Sequence, residues 1–317
     1  VVFLGSVLVA GCTSSEVTQT FVKDAMVDGP VATPVVHVVT QGTKNSTTLT
    51  GFLNLQRGDK QRGYVSGSPP SRVSWLYPVD TLSTDGRLSS VRRVPGHNLI
   101  WSLPEAVAGL DMDITWKSTA VSFGVSLAAD EGATLFGWSA GVGLFGGDSG
   151  TVRVRFDAGL SGQALNYDAS SVAVSTTKTN WLFGASTSVD TAYYHDVRSE
   201  SSIGYYGSLT LNTAAEEWPV NVFLQGSCVV QSLLEYTPTT QTTTNWLLLL
   251  PVQQKSASAK VSTKPVLLGV TPGVYLRPSP SVLLLIGVRF LFDVSDTLLD
   301  TGRIVVPFVQ VSLSFGK

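Results

Sequence analysis

The 317-residue chain is short of charge: 14% of its residues are Asp, Glu, Lys or Arg, against about 25% in an average soluble domain. With 21 basic and 23 acidic residues the formal net charge is −2, so no basic face is on offer to nucleic acid and no such partner is expected. Two cysteines exclude a disulfide framework. Three histidines leave little from which to build a metal site, and neither a metal nor another cofactor is expected. Long apolar runs are missing too. Although 43% of residues are hydrophobic, no window reaches the roughly 18 apolar residues of a membrane-crossing helix. The longest run, Val282 to Phe292, is broken by Arg289. Helical periodicity is nearly absent. What remains is a β-rich exported protein or a membrane β-barrel.

The first twelve residues form an apolar run that stops at Val9-Ala10-Gly11-Cys12 and gives way to a Thr/Ser-rich stretch. An apolar region ending in small residues is an export signal, and this ending resembles the lipobox of bacterial lipoproteins. The resemblance implies acylation of Cys12, a lipid-anchored mature N-terminus and handling by the lipoprotein-sorting machinery. No Met, Lys or Arg precedes the run, which reads as a reading frame clipped at its 5′ end. A buried N-terminal strand or helix ending in Ala-Gly-Cys is the structural alternative.

From about residue 105 an apolar–polar alternation of period two persists to the end. Leu110, Met112, Ile114 and Trp116 alternate with Asp111, Asp113, Thr115 and Lys117. Val152, Val154, Phe156, Ala158 and Leu160 oppose Arg153, Arg155, Asp157 and Gly159. Val309, Val311, Leu313 and Phe315 oppose Gln310, Ser312 and Ser314. In residues 220–228 only Phe223 breaks the pattern. Many of these stretches match the 9–11 residues a tilted strand needs to cross a bilayer. Aromatics gather near their ends, among them Trp116, Trp181, Phe183, Tyr193, Tyr194, Tyr205, Tyr206, Trp218, Tyr236 and Trp246.

On these features residues 105–317 resemble the outer-membrane β-barrel class: all-β, antiparallel and transmembrane, with the apolar faces toward lipid. The resemblance implies insertion by the barrel-assembly machinery, a Gram-negative cell envelope and the outer-membrane bilayer as partner. Connections near 213–217 and 278–280 are short, whereas 191–202, 235–263 and 294–301 are long, as expected of periplasmic turns and external loops. About twelve strands are expected, with ten to sixteen compatible with the pattern, and an even count puts both termini in the periplasm. Closure needs a strand from residues 34–100 or a hairpin within 244–263. The expected organisation is a signal segment at 1–12, a linker at 13–33, an N-terminal plug, periplasmic or strand-donating region at 34–104, and the barrel at 105–317.

If the apolar faces meet lipid, Asp111, Asp113, Lys117, Arg153, Arg155, Asp157 and Arg289 face the lumen. There they set pore selectivity or bind a small polar solute, or pair to fill and stabilise a narrow interior. His195-Asp196, read as part of a polar loop, is the most enzyme-like pair, but no G-x-S-x-G nucleophile motif accompanies it. The glycines between 137 and 150 lack the Lys-Ser/Thr and helix of a phosphate loop. Three functions therefore stand open. The first is a passive porin-like channel or solute-binding lipoprotein of the outer membrane, with no chemical step. The second is a structural or adhesive envelope lipoprotein, as a closed barrel or soluble β-sandwich. The third and least supported is a hydrolase with a rim site at His195.

Overall fold

The computed structural model describes residues 13–40, 45–57, 60–63, 65, 81–82, 88–90, 99–130, 133–146, 151–181, 184–215, 220–247, 250–295, 297–298 and 303–315. Cys12 and the signal segment lie outside these residues. Strands β1 (Thr13–Asp28), β2 (Ser46–Leu55), β3 (Lys60–Gly63), β4 (Thr81–Leu82), β5 (Leu88–Ser90) and β6 (Leu99–Ser102) come first. They are followed by β7 (Ala106–Trp116), β8 (Thr119–Asp130), β9 (Ala133–Gly146), β10 (Val152–Trp181), β11 (Gly184–Thr213) and β12 (Val220–Gln231). The chain ends with β13 (Leu234–Tyr236), β14 (Thr239–Leu247), β15 (Leu250–Ala257), β16 (Val261–Thr263), β17 (Val266–Ser279), β18 (Val282–Asp293) and β19 (Arg303–Phe315).

Ten of these close a ring. β2, β7, β8, β9, β10, β11, β12, β17, β18 and β19 pair in that order, every contact antiparallel, and β19 returns to β2. The ring therefore has ten staves rather than twelve, and the stave from the N-terminal region is β2. Alternation along a strand sends successive side chains to opposite faces, and here the polar set points inward. Asp111, Asp113, Arg155, Asp157, Asn212, Gln225, Arg289 and Gln310 are buried, while Leu110, Phe123, Val142, Leu144, Leu224, Ile286 and Val311 are exposed. Phe223, the exception in its run, is an inward residue packed against Val36 and Phe308 in a small apolar cluster.

Inward aromatics need room in a curved wall, and glycines on neighbouring strands supply it. A Cβ at Gly109 would meet Phe52 and the Val125 carbonyl oxygen. One at Gly273 would meet Phe223, and one at Gly287 would meet Phe308.

The two ends of the ring differ. One carries the connections 117–118, 147–151, 214–219 and 280–281 together with Phe315 at the end of β19; the other carries 56–105, 232–265 and 294–302. Lys117 occupies the tight β7–β8 turn with φ of 52° and is exposed. A two-residue hairpin requires such a conformation, so Lys117 sits at the rim instead of on an inner face. β10 and β11 overshoot the ring at the long-connection end. Their far halves pair from Ala164↔Ser201 out to Trp181↔Gly184. Residues 191–202 are thus strand, not loop, because the two runs stay in register over thirty residue pairs.

β1 lies along this overshoot, from Thr13↔Asn180 down to Asp28↔Asn166. β14 and β15 continue the projecting sheet beyond it. Residues 13–28 are accordingly a strand rather than a linker, since the far edge of β10 offers an unpaired ladder that they complete. The first described residue, Thr13, lies at the long-connection end, opposite Phe315; the expected anchored terminus at Cys12 lies outside the described residues.

The main apolar core closes the long-connection mouth. Val22, Ala25 and Val27 of β1, Leu99 and Trp101 of β6 and Leu165 and Tyr167 of β10 pack with Leu233, Leu267, Leu291, Leu298 and Ile304.

Candidate functional site: an occupied lumen

After β1 the chain turns into the ring. Residues 29–40 have no strand assignment and run down the interior, with Gly29, Pro30, Val31, Ala32, Pro34, Val36, His37 and Val39 buried. Two prolines, at 30 and 34, and a run of valines keep such a segment extended. A buried backbone must find partners for its N–H and C=O groups, and here the wall's side chains provide them.

Gln56 Oε1 accepts from Val31 N (3.2 Å) and its amide donates to Val31 O (3.4 Å). Gln231 accepts from Ala32 N (3.0 Å) and donates to Pro30 O (3.0 Å). Gln310 accepts from Val36 N (3.2 Å) and donates to Val36 O (3.1 Å). Asn212 accepts from Val39 N (3.0 Å) and donates to Val39 O (3.0 Å). Trp101 Nε1 donates to Gly29 O (2.9 Å), and Arg289 Nη2 to Pro34 O (2.7 Å). A Cβ at Gly29 would press on the buried Leu165 side chain.

One side chain of the segment is also clamped. His37 Nε2 is 2.9 Å from Asp111 Oδ2, and Nδ1 is 3.7 Å from Asp157 Oδ1. Arg155 meets Asp113 with both terminal nitrogens, at 2.7 and 2.8 Å, and donates from Nε to Asp157 Oδ1 at 2.8 Å. Its five donors in a planar fork suit that bidentate geometry. Three carboxylates, one guanidinium and one imidazole thus form a single network from β7, β10 and the lumen segment.

Arg289 stands apart on β18. Its charge lies 5.3 Å from the centre of the Phe308 ring, within cation–π range. Among the described residues no carboxylate pairs with it, and its Nε and Nη1 have no hydrogen-bond partner. Gln225 Oε1 and Thr271 Oγ1 are also without partners, and these two residues face each other across β12 and β17. A cavity of about 180 Å³ opens toward the short-turn end, lined by His37, Asp113, Arg155, Ser281 and Ser312 among others. A second, of about 40 Å³, lies beside Pro34, Asp111 and Tyr206.

The residues expected in the lumen are divided as follows. Asp111, Asp113, Arg155 and Asp157 come together around His37, Arg153 is half-buried near the start of β10, and Arg289 is separate. Cys228 is exposed on the outer face. Trp116 and Tyr205 stand exposed outside the ring, Tyr206 turns inward beside Gly141 and Gly159, and Tyr194 belongs to the overshoot. The side chains of Trp181, Phe183, Tyr193, Trp218 and Trp246 lie outside the described residues. His195 and Asp196 do not meet, because neighbours on a strand point to opposite faces. His195 Nδ1 instead lies 3.4 Å from Asp168 Oδ1, both about half exposed, while Asp196 lies 3.4 Å from Arg198.

The reading from sequence missed His37 and the four carboxamides. Asn212, Gln231 and Gln310 do sit at inward positions of their strands, but nothing in the alternation names a backbone as their partner.

These features define a class: a closed antiparallel β-barrel whose polar interior is occupied by its own N-terminal segment. No family model matches the chain, and no curated protein matches it. Among solved structures it is similar to the N-terminal β-barrel domain of Pseudomonas aeruginosa OprF, at 8% identity over 86% of this chain and 98% of that one, TM-score 0.29. LpxR from Salmonella typhimurium matches at 8% identity over 84% and 99%, TM-score 0.32. The outer membrane protease OmpT from Escherichia coli matches at 10% identity over 97% of each chain, TM-score 0.29. Likeness at these scores carries no argument about function.

Proposed function

We propose that the protein is an outer-membrane β-barrel that is closed at rest by residues 29–40 and acts as a structural or display element of the envelope rather than as an open pore. The observation that carries this reading is the inverted distribution of polarity. Every ring strand exposes apolar side chains outward while Asp, Arg, Asn and Gln are buried inside, the arrangement a ring needs when its outer solvent is lipid. A closed ring also satisfies each strand's backbone without a free edge inside the hydrocarbon.

Two features favour display over passage. The lumen is occupied by a segment bound at seven residues through its backbone by six wall side chains. At the other end β10, β11, β1, β14 and β15 form a sheet standing clear of the ring, a surface for contact outside the membrane. With short turns periplasmic and long connections external, this sheet is extracellular, and residues 29–40 lead the chain inward through the barrel. An acylated Cys12 would then lie at the external end. A channel remains the second reading, favoured by the lumen's charged residues and its 180 Å³ cavity; it requires the segment to move.

Purified in detergent, the chain is expected to show heat-modifiable gel migration and to insert into planar bilayers without steady conductance. Migration unaffected by heating, with monomeric behaviour in the absence of detergent, would overturn the membrane reading. Steady conductance of the unaltered chain would overturn closure.

A further inference from the structure

An extended segment inside a protein normally takes its hydrogen bonds from a neighbouring strand. The segment here takes them from side chains, and four of those are carboxamides used in the same way. Gln56, Gln231, Gln310 and Asn212 each accept from one backbone N–H and donate to one backbone C=O. A carboxamide carries the same donor and acceptor as a peptide group, so the four reproduce, one residue at a time, what strand addition does along a ladder. What they read is common to every amino acid except at nitrogens lacking a proton.

We propose that the lumen is a receptor for an extended polypeptide backbone, and that residues 29–40 are its resident and displaceable occupant. The proposal rests on the reading that the barrel is sealed by this segment. The ring's own ladder runs from stave to stave without the segment; tethered to β1 and to β2, the segment can release the carboxamides and shift within the lumen without breaking any strand pairing between staves. Polar side-chain selection is confined to His37, held between Asp111 and Asp157, where a donor-bearing side chain fits. Val31 and Ala32 pack in the mouth core and Val36 beside Phe223 and Phe308, so those positions take small or β-branched side chains. The resident also leaves wall groups unused. Arg289 bonds Pro34 O through Nη2 alone, with Nε and Nη1 unpartnered. The ligand class is therefore an uncharged or weakly charged extended peptide with small or β-branched residues and a basic donor at the position of His37.

The test loosens the resident within the full chain. Val36→Pro and Val39→Pro together remove two N–H donors that Gln310 and Asn212 bind. In planar bilayers this variant is expected to conduct. A synthetic peptide with the sequence of residues 29–40 is expected to block it. A peptide with the valine side chains exchanged for Ile and Thr but His37 kept should block comparably. The native-sequence peptide N-methylated at the residues matching Val36 and Val39 should block with affinity about tenfold weaker or worse, because bonds of about 1 kcal/mol each are lost. Equal block by the methylated peptide, or none by the unmodified one, overturns the proposal. Heat-modifiable migration checks that the variant folds. If proline prevents assembly, His37→Ala in the full chain, which keeps every backbone amide, supports the same peptide comparison with the same outcomes. Failure of the sealing reading is distinguishable, since it appears as conductance of the unaltered protein before any peptide is added.

Discussion

At the scale of single residues, Arg155 shows how a buried charge is tolerated. It is 3% exposed and meets Asp113 through two parallel bonds and Asp157 through a third. Removing one partner strands the other without solvent, at a cost of about 3–5 kcal/mol, whereas replacing both by apolar side chains of similar volume is often near neutral. Arg155→Met alone is expected to lower the urea midpoint of the barrel refolded in lipid vesicles by the equivalent of about 3 kcal/mol or more. Adding Asp113→Leu should recover part of that loss. A double variant less stable than the sum of the single ones would contradict the pairing. Asp157 keeps a second contact through His37 and is left intact for that reason.

At the scale of elements, the lumen segment is held by its backbone more than by its side chains. Gln310 carries both polar groups of Val36, so Gln310→Leu leaves a buried N–H and a buried C=O unsatisfied, at about 1–3 kcal/mol for each group. Amide exchange of Val36 is expected to accelerate at least tenfold in this variant, while exchange of Val31, held by Gln56, stays within about threefold of the parent. Uniform acceleration along residues 29–40 would mean that the segment opens as one unit and that the four carboxamides are not independent. β10 and β11 illustrate the opposite case, elements held beyond the ring chiefly by pairing with each other and with β1. Only the near half of β11 alternates clearly; residues 184–202 are polar and largely exposed on both faces, so 191–202 carry loop-like composition in a stretch that strand pairing keeps extended.

At the scale of the whole molecule, the path of the chain is the consequence to check. Thr18 of β1 and Lys117 of the β7–β8 turn lie at opposite ends of the ring. Single cysteines placed at these two positions, in a background with Cys12→Ser and Cys228→Ser, are expected to react with an impermeant maleimide from opposite sides of an intact membrane. The Thr18 position should react from outside the cell. Labelling of both from one side would contradict the threaded path, and labelling of Lys117→Cys alone from outside would invert the orientation.

Composition and alternation determined the all-β class, the inward set Asp111, Asp113, Arg155, Asp157 and Arg289, and the apolar outer face, because a period of two is a local property of each strand. The short connections near 213–217 and 278–280 and the long ones at 235–263 and 294–301 were legible for the same reason, as intervals between alternating runs, whereas 191–202, read as a long connection, is strand. Strand number was not, since nothing local in residues 46–55 says that they pair with β19 and β7. Nor could the sequence place residues 29–40. An extended run of Pro and Val reads alike as linker, edge or plug, and only the inward carboxamides of β11, β12 and β19 and of Gln56 just past β2, together with Asp111 and Asp157 closing on His37, decide that it is the occupant of the barrel.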